Sequence, residues 1–379
     1  MFKKYQLRSY NFRLVILVIV ATVFGIAVIN SANSDYTLRQ CFGFALSLAV
    51  MIFVSFVDYN WIMKFYWLGY IICIGMLLAV ELFGKTANNA QRWLDLGPVQ
   101  IQPSELSKII LIVFTSKLIS VYKEKLNTWK FLVVLAILCA IPLFLILMQP
   151  SLSTTLVIVL ILLTIIYCSG LSYKIIGTVL AVMIPLSIGM ILYISNPNQI
   201  LLKDYQRNRI MTFFNPEENE AGAYQQEYSE KAIGSGQLTG KGLGTDDPSS
   251  LKNTGYIAEA QTDFIFAVIG EELGFVGGCF VIILLSAIVI ECIIAAVRAK
   301  DFAGRLICCG VAGYIAFQSF INIGVATRVL PNTGQPLPFI SYGLTSLLTL
   351  YIAVGIVLNV GLQRKIERDD DIFAEDFRG

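Results

Sequence analysis

Apolar residues run along this chain in long, nearly unbroken blocks, not as the one-sided stripe of a soluble amphipathic helix. The first block covers about Leu14 to Ile29. Others follow near 40–57, 62–83, 105–122, 130–148, 153–170, 173–195, 274–297, 304–327 and 343–363. Each is close to the ~20 residues that carry a helix across ~30 Å of hydrocarbon. The pattern predicts an all-α polytopic membrane protein with about ten transmembrane helices in a single membrane domain spanning 1–379. Polar sequence is concentrated in one long stretch, 196–262, between predicted helices 7 and 8. Shorter polar segments lie at Lys85 to Pro103 and Arg328 to Tyr342, and a charged tail occupies 364–379. The first apolar block follows a basic segment but has no small-residue cleavage site, so it reads as a retained helix.

Composition agrees with that pattern. The chain is 56% hydrophobic and 14% charged, against about 25% charged for a soluble protein. The net charge of +2 gives no reason to expect a nucleic-acid partner, so the placement of charge matters more than its sum. Basic residues collect on one side of the predicted spans: Lys3, Lys4, Arg8 and Arg13, then Lys117 to Lys130, Lys174, Arg298 to Arg305 and Arg364 to Arg368. The opposite short loops hold only Arg39, Lys85, Arg92 and Arg328. The positive-inside rule then predicts both termini in the cytoplasm. It also puts the three polar segments on the outer face.

The chain has no histidine, which excludes a Ser-His-Asp triad, a histidine base and histidine-ligated zinc. The eight cysteines fall in apolar runs without a Cys-x-x-Cys pair and read as small buried hydrophobes. Acid–base chemistry is left to Asp, Glu, Lys and Tyr.

Asp263 is the leading candidate. It sits where the long polar segment turns into the apolar run Phe264-Ile265-Phe266-Ala267-Val268. An apolar side raises a carboxylate's proton affinity and a wet side admits substrate, as a general base requires. Glu259 precedes it by four residues, so a helical turn would put both acids on one face. Glu271 and Glu272 follow, and sparing them from hydrocarbon predicts a short interfacial or re-entrant helix from Asp263 to Glu272 before the true span.

Other constellations leave two readings each. Glu105 and Lys108, just inside a helix that starts at Pro103, form either an intrahelical ion pair or charges lining a pathway. Arg92-Trp93 is either an interfacial anchor or a phosphate contact. The long segment interleaves Tyr205, Arg207, Arg209, Lys231 and Lys241 with glycine. Its run Ala232 to Gly244 is no Walker A loop. It is either a flexible turn or a set of backbone N–H groups that, with Lys241, bind an anion such as pyrophosphate. The proline-rich turn Leu330 to Gly343 reads mostly as a rigid connector.

Taken in order, several motifs resemble the SEDS family of membrane proteins (shape, elongation, division and sporulation; the RodA and FtsW type). They are Arg92-Trp93, Gln102-Pro103-Ser104-Glu105 with Lys108, Gln149-Pro150, Tyr205-Gln206 with Arg209, and Ala232 to Gly236. Thr262-Asp263-Phe264-Ile265-Phe266 and Pro336-Leu337-Pro338-Phe339 with Ser341-Tyr342-Gly343 complete the set. The chain departs from the family pattern at Ser151, Ser153, Tyr228, Gln261 and Leu344.

The resemblance implies a peptidoglycan glycosyltransferase that polymerises lipid II into glycan at the outer face of the cytoplasmic membrane. A class B penicillin-binding protein would serve as its transpeptidase partner. Asp263 would then be the catalytic base for an inverting displacement. Arg92, Trp93, Glu105, Lys108, Tyr205, Arg209, Lys241 and Glu259 would form the substrate site. A divalent cation, Mg2+ or Mn2+, held by Glu259 or Glu105, is a further candidate for neutralising the diphosphate; no organic cofactor is implied. The competing classes are a flippase for the same lipid-linked precursor and a non-catalytic scaffold. The motifs do not separate elongation, division and sporulation.

Overall fold

The computed structural model describes residues 10–87, 90–95, 100–149, 151–194, 211–213, 220–245, 248, 250–252, 257 and 259–363. Within them a long helix stands at each of the ten predicted positions. In chain order these are α1 (Phe12–Ala32), α2 (Thr37–Phe56), α4 (Tyr66–Phe83), α5 (Pro103–Val121), α6 (Trp129–Met148), α7 (Leu152–Cys168) and α8 (Tyr173–Ile194). After the long segment come α10 (Ile265–Val297), α11 (Phe302–Ala326) and α12 (Leu344–Leu362). Among the described helices that were not anticipated are the short α3 (Tyr59–Lys64), which splits the start of the third span, and α9 (Glu220–Ser235) in the long polar segment.

Helices are required because backbone N–H and C=O groups find no water in hydrocarbon and must pair within the element. Their ends are marked by residues that suit the task. Asn11 and Asp301 accept from the first-turn amides of α1 and α11, and Pro103 opens α5. Among the described residues seven helices are long and apolar enough to cross a membrane. The Leu152–Cys168 helix is apolar but shorter, and α5 carries Glu105, Lys108 and Lys117.

The bundle has an inside and an outside. α11 and α12 are 72% and 78% buried over their spans, whereas α2 and α4 are only 22% buried. The central pair contacts α10, α7, α5 and α2. Gly310 and Gly313 let α11 approach Ile112, Ile165 and Thr164 closely, the small-residue packing that membrane helices use. The outer helices turn large apolar side chains outward, among them Leu38, Phe42, Ile71 and Phe144, as a lipid-facing surface demands.

The segment 85–101, read from sequence as a plain loop, contains a small antiparallel sheet. Its strands β1 (Lys85–Ala87), β2 (Ala90–Asp95) and β3 (Gln100–Ile101) pair in that order. Strands of two to six residues are too short for their alternation to stand out. Thr345 at the start of α12 donates to Gln100 O at 3.2 Å, so the sheet sits at the end of the bundle where α5 and α12 begin.

Candidate active site

The segment that carries Asp263 is held by the proline-rich turn and by α11. Three successive carbonyls are engaged. Tyr342 N donates to Gln261 O at 2.8 Å, Ser341 Oγ to Thr262 O at 2.6 Å, and Asn322 Nδ2 to Asp263 O at 2.8 Å. The Asp263 side chain is half-buried at this junction, while Phe264 and Ile265 behind it are buried. Asp263 thus stands between partly exposed turn residues and a buried apolar run. The residues around it are turns, and α10 begins only at Ile265. Glu259 and Asp263 consequently do not share a helical face, which corrects that expectation. Glu259 has φ of 56° and is exposed, with Thr262 and Gln261 donating to its carboxylate at 3.3 and 3.4 Å.

Glu105 and Lys108 form the intrahelical pair, at 2.6 Å, and both are buried. The ammonium also donates to Gln318 Oε1 at 2.8 Å and lies over the Tyr314 ring, whose hydroxyl reaches Glu105 at 3.4 Å. Gln318 passes the connection on by donating to Pro336 O at 2.9 Å. One helical turn further, Asn322 donates to both Asp263 O and Gln335 O. Two amides four residues apart on α11 thus join the buried ion pair, the proline-rich turn and the peptide of Asp263. The turn reaches α7 as well: Gln335 Nε2 lies 3.0 Å from Ser153 Oγ and from Thr154 Oγ1. Sequence reasoning missed Gln318, Asn322 and Gln335. The available signal was two carboxamides inside the apolar run of α11, which demand partners there.

The predicted short helix ahead of the eighth span is present, as Ile265 to Leu273. It ends at Gly274, whose φ of 63° and ψ of −159° break α10. A break in a membrane helix orphans carbonyls before it and amides after it. The glycine-rich run supplies the missing partners. Lys241 N and Gly242 N donate to Glu271 O and Glu272 O at 3.0 and 2.9 Å, while Phe275 N and Val276 N donate to Gln237 O and Leu238 O at 2.8 and 3.2 Å. Gly240 fits because a Cβ there would meet Glu272 O at 2.1 Å.

The two acids are counter-charged in the same place. Lys241 Nζ pairs with Glu271 at 2.8 Å, and Leu251 N and Lys252 N donate to the same carboxylate at 2.8 and 3.1 Å. Glu272 Oε1 takes Lys252 Nζ at 2.6 Å and Ser31 Oγ at 2.5 Å. The anion-loop reading of Ala232 to Gly244 gives way to a strap that closes a broken helix. Lys241, one of the proposed substrate contacts, is engaged by Glu271 within it.

Arg92, on β2, donates through Nε to Gln149 O at 3.3 Å, which brings the sheet to the junction of α6 and α7; Trp93 beside it is half-buried. Tyr205 and Arg209 lie outside the described residues. α9 docks on the end of α11 through Gln226, which donates to Val325 O and Leu330 O, and Ser229, which donates to Ala326 O. On its exposed side Lys231 holds the Glu227 carboxyl below the usual carboxylate range, by a 2.7 Å hydrogen bond and its charge. Among the described residues no group of three or more acidic or cysteine side chains converges as a metal site. Glu105 is committed to Lys108 and Tyr314, so Glu259 is the more open of the two acids considered for a cation.

The fold and this junction define a polytopic helical membrane protein with a half-buried aspartate between a broken helix and a proline-rich turn. Comparison with known proteins makes that class specific. The family model described as FTSW_RODA_SPOVE, cell cycle protein, matches residues 6–366, and the chain belongs to this family. It is 38% identical over 300 residues to the peptidoglycan glycosyltransferase MrdB of Escherichia coli K12, covering 78% of each chain. It is also 34% identical to the stage V sporulation protein E of Bacillus subtilis, covering 93% of this chain and 97% of that one. The fold matches a chain from a structure described as the structural coordination of polymerization and crosslinking by a peptidoglycan synthase complex. That match has a TM-score of 0.76 and 27% identity, over 93% of this chain and 97% of that one. It matches Thermus thermophilus RodA with a TM-score of 0.70 and 25% identity, over 94% of this chain and 98% of that one.

Proposed function

We propose that this chain is a peptidoglycan glycosyltransferase that polymerises lipid II at the outer face of the cytoplasmic membrane, with Asp263 as general base. The observation that carries the reading is the half-buried Asp263, in a segment fixed from α11 and from the proline-rich turn, in a chain of this family. The distribution of Lys and Arg supports the orientation, with both termini inside and the sheet, α9 and Asp263 outside.

The reaction asks little beyond proton removal and charge management. An acceptor sugar hydroxyl gives its proton to Asp263 as its oxygen attacks the anomeric carbon of the donor. The bond from that carbon to the diphosphate oxygen breaks, the diphosphate takes the electron pair, and the configuration inverts. A positioned base contributes about 10²–10⁴-fold, and stabilising the departing diphosphate supplies much of the remainder. Arg92, Lys108, Arg209 and Lys241 are the proposed sources of positive charge; of these, Lys108 and Lys241 also face Glu105 and Glu271. Trp93 and Tyr205 are proposed to line the same site. Glu259 would hold a divalent cation, Mg2+ or Mn2+, which would supply further charge neutralisation when bound. The glycan leaves into water while the lipid stays in the bilayer, so a site at the membrane surface suits both products. A class B penicillin-binding protein is the proposed cross-linking partner, in line with the assembly to which one of the similar folds belongs.

Purified protein, with and without that transpeptidase, incubated with labelled lipid II, tests the reading. Glycan product that disappears in Asp263→Ala supports it. Unchanged product in that variant removes Asp263 as the base, and lipid scrambling without product identifies a flippase instead.

A further inference from the structure

We infer that Asn322 and Gly334 are positioning residues for Asp263, one clamping the peptide that bears the carboxylate and the other leaving the space that the carboxylate occupies. The inference rests on the reading of Asp263 as general base.

Asn322 lies on α11 and is 1% exposed. Its Nδ2 donates to two backbone carbonyls, Asp263 O at 2.8 Å and Gln335 O at 2.6 Å. A carboxamide nitrogen has two hydrogens, so both are used in joining these segments. Ser341 and Tyr342 hold the preceding carbonyls of Thr262 and Gln261. Among these contacts it is Asn322 that reaches the carbonyl of Asp263 itself. It ties that peptide to the residue immediately after Gly334.

Gly334 completes the arrangement from below. Its φ is +65°, and a Cβ there would stand 2.9 Å from Oδ2 of Asp263. Ordinary Cβ contacts begin near 3.4 Å, so any side chain at 334 displaces the carboxylate by several tenths of an ångström. The turn that Asn322 ties to Asp263 is therefore also the surface over which the carboxylate rests. A base must stand within about 2.6–3.2 Å of the proton that it takes, and a displacement of about 1 Å can cost on the order of 10²-fold. The geometry gives both residues a route to the rate without requiring either to touch substrate.

The test uses the full chain, with its transpeptidase partner where activity needs it, in steady-state polymerisation of fluorescent lipid II. Asn322→Ala and Gly334→Ala are expected to lower kcat by roughly 10- to 100-fold. KM is expected to stay within about threefold of the parent, as for loss of an interaction that acts on the chemical step. Asn322→Gln, which keeps the donor amide, is expected to recover part of the loss. Melting temperatures measured alongside separate positioning from unfolding. If both alanine variants keep kcat within about twofold of the parent while Asp263→Ala is inactive, the positioning inference fails and the base assignment stands. Activity lost only in proportion to the folded fraction also overturns it. If Asp263→Ala keeps the parent's rate, the base assignment falls and this inference falls with it.

Discussion

At the scale of single residues, burial and partnership decide what each charge can do. Asp263 is the half-buried carboxylate placed between apolar helix and polar turn, and Asp263→Asn should lower polymerisation by about 10²–10⁴-fold while leaving the melting temperature close to the parent's. Glu105 and Lys108 are a different case, because both are buried. Removing one partner of a buried pair typically costs about 3–5 kcal/mol, whereas replacing both with apolar residues of similar volume is often neutral. Glu105→Leu should therefore lower the melting temperature strongly, and Glu105→Leu with Lys108→Met should recover much of it. Thermal unfolding in detergent would show the pattern. A double variant less stable than both single ones would mean that the pair contributes through Gln318 and Tyr314 more than through its own charges.

At the scale of elements, α10 is the instructive one. The expectation of a short helix ahead of the eighth span came from the cost of placing Glu271 and Glu272 in hydrocarbon, and a short helix is what forms. The reason is only partly the one anticipated. Both acids are buried, and they are neutralised by Lys241 from the glycine-rich strap and by Lys252 beyond it. No local pattern in the sequence joins residues 236–252 to 271–276, because the partners are complementary only once α10 has broken. Gly274→Ala puts a Cβ 2.5 Å from Gly240 N in a backbone conformation that favours glycine, so it should release the strap. The expected result is faster tryptic cleavage at Lys241 and Lys252 than in the parent, resolved by peptide mapping. Unchanged protection would show that the strap is held elsewhere.

At the scale of the whole molecule, the ends of the bundle differ in charge and in content. The sheet, α9, the strap, the proline-rich turn and the start of α10 share one end, and the basic clusters mark the other. A protease site inserted at Pro248 should be cut in intact spheroplasts, and one appended after Gly379 only after lysis. The reverse result would invert the orientation and move Asp263 to the cytoplasmic side. The central position of α11 and α12, 72% and 78% buried, also accounts for the polar residues on α11. A helix surrounded by protein can carry Gln318 and Asn322 because its neighbours present carbonyls and an ammonium to them.

The sequence by itself determined the membrane architecture, since each span is a local fact: about twenty apolar residues must form a helix to satisfy their own backbone in lipid. It also determined Asp263 as the residue to examine, because the polar-to-apolar boundary and the missing histidines are legible without coordinates. Only the tertiary structure decided what surrounds that aspartate. The clamp from Asn322, the open Cα of Gly334, the line from Lys108 through Gln318 and the strap on the broken helix all join residues far apart in the chain. Their complementarity is one of distance and direction, which no local spacing encodes.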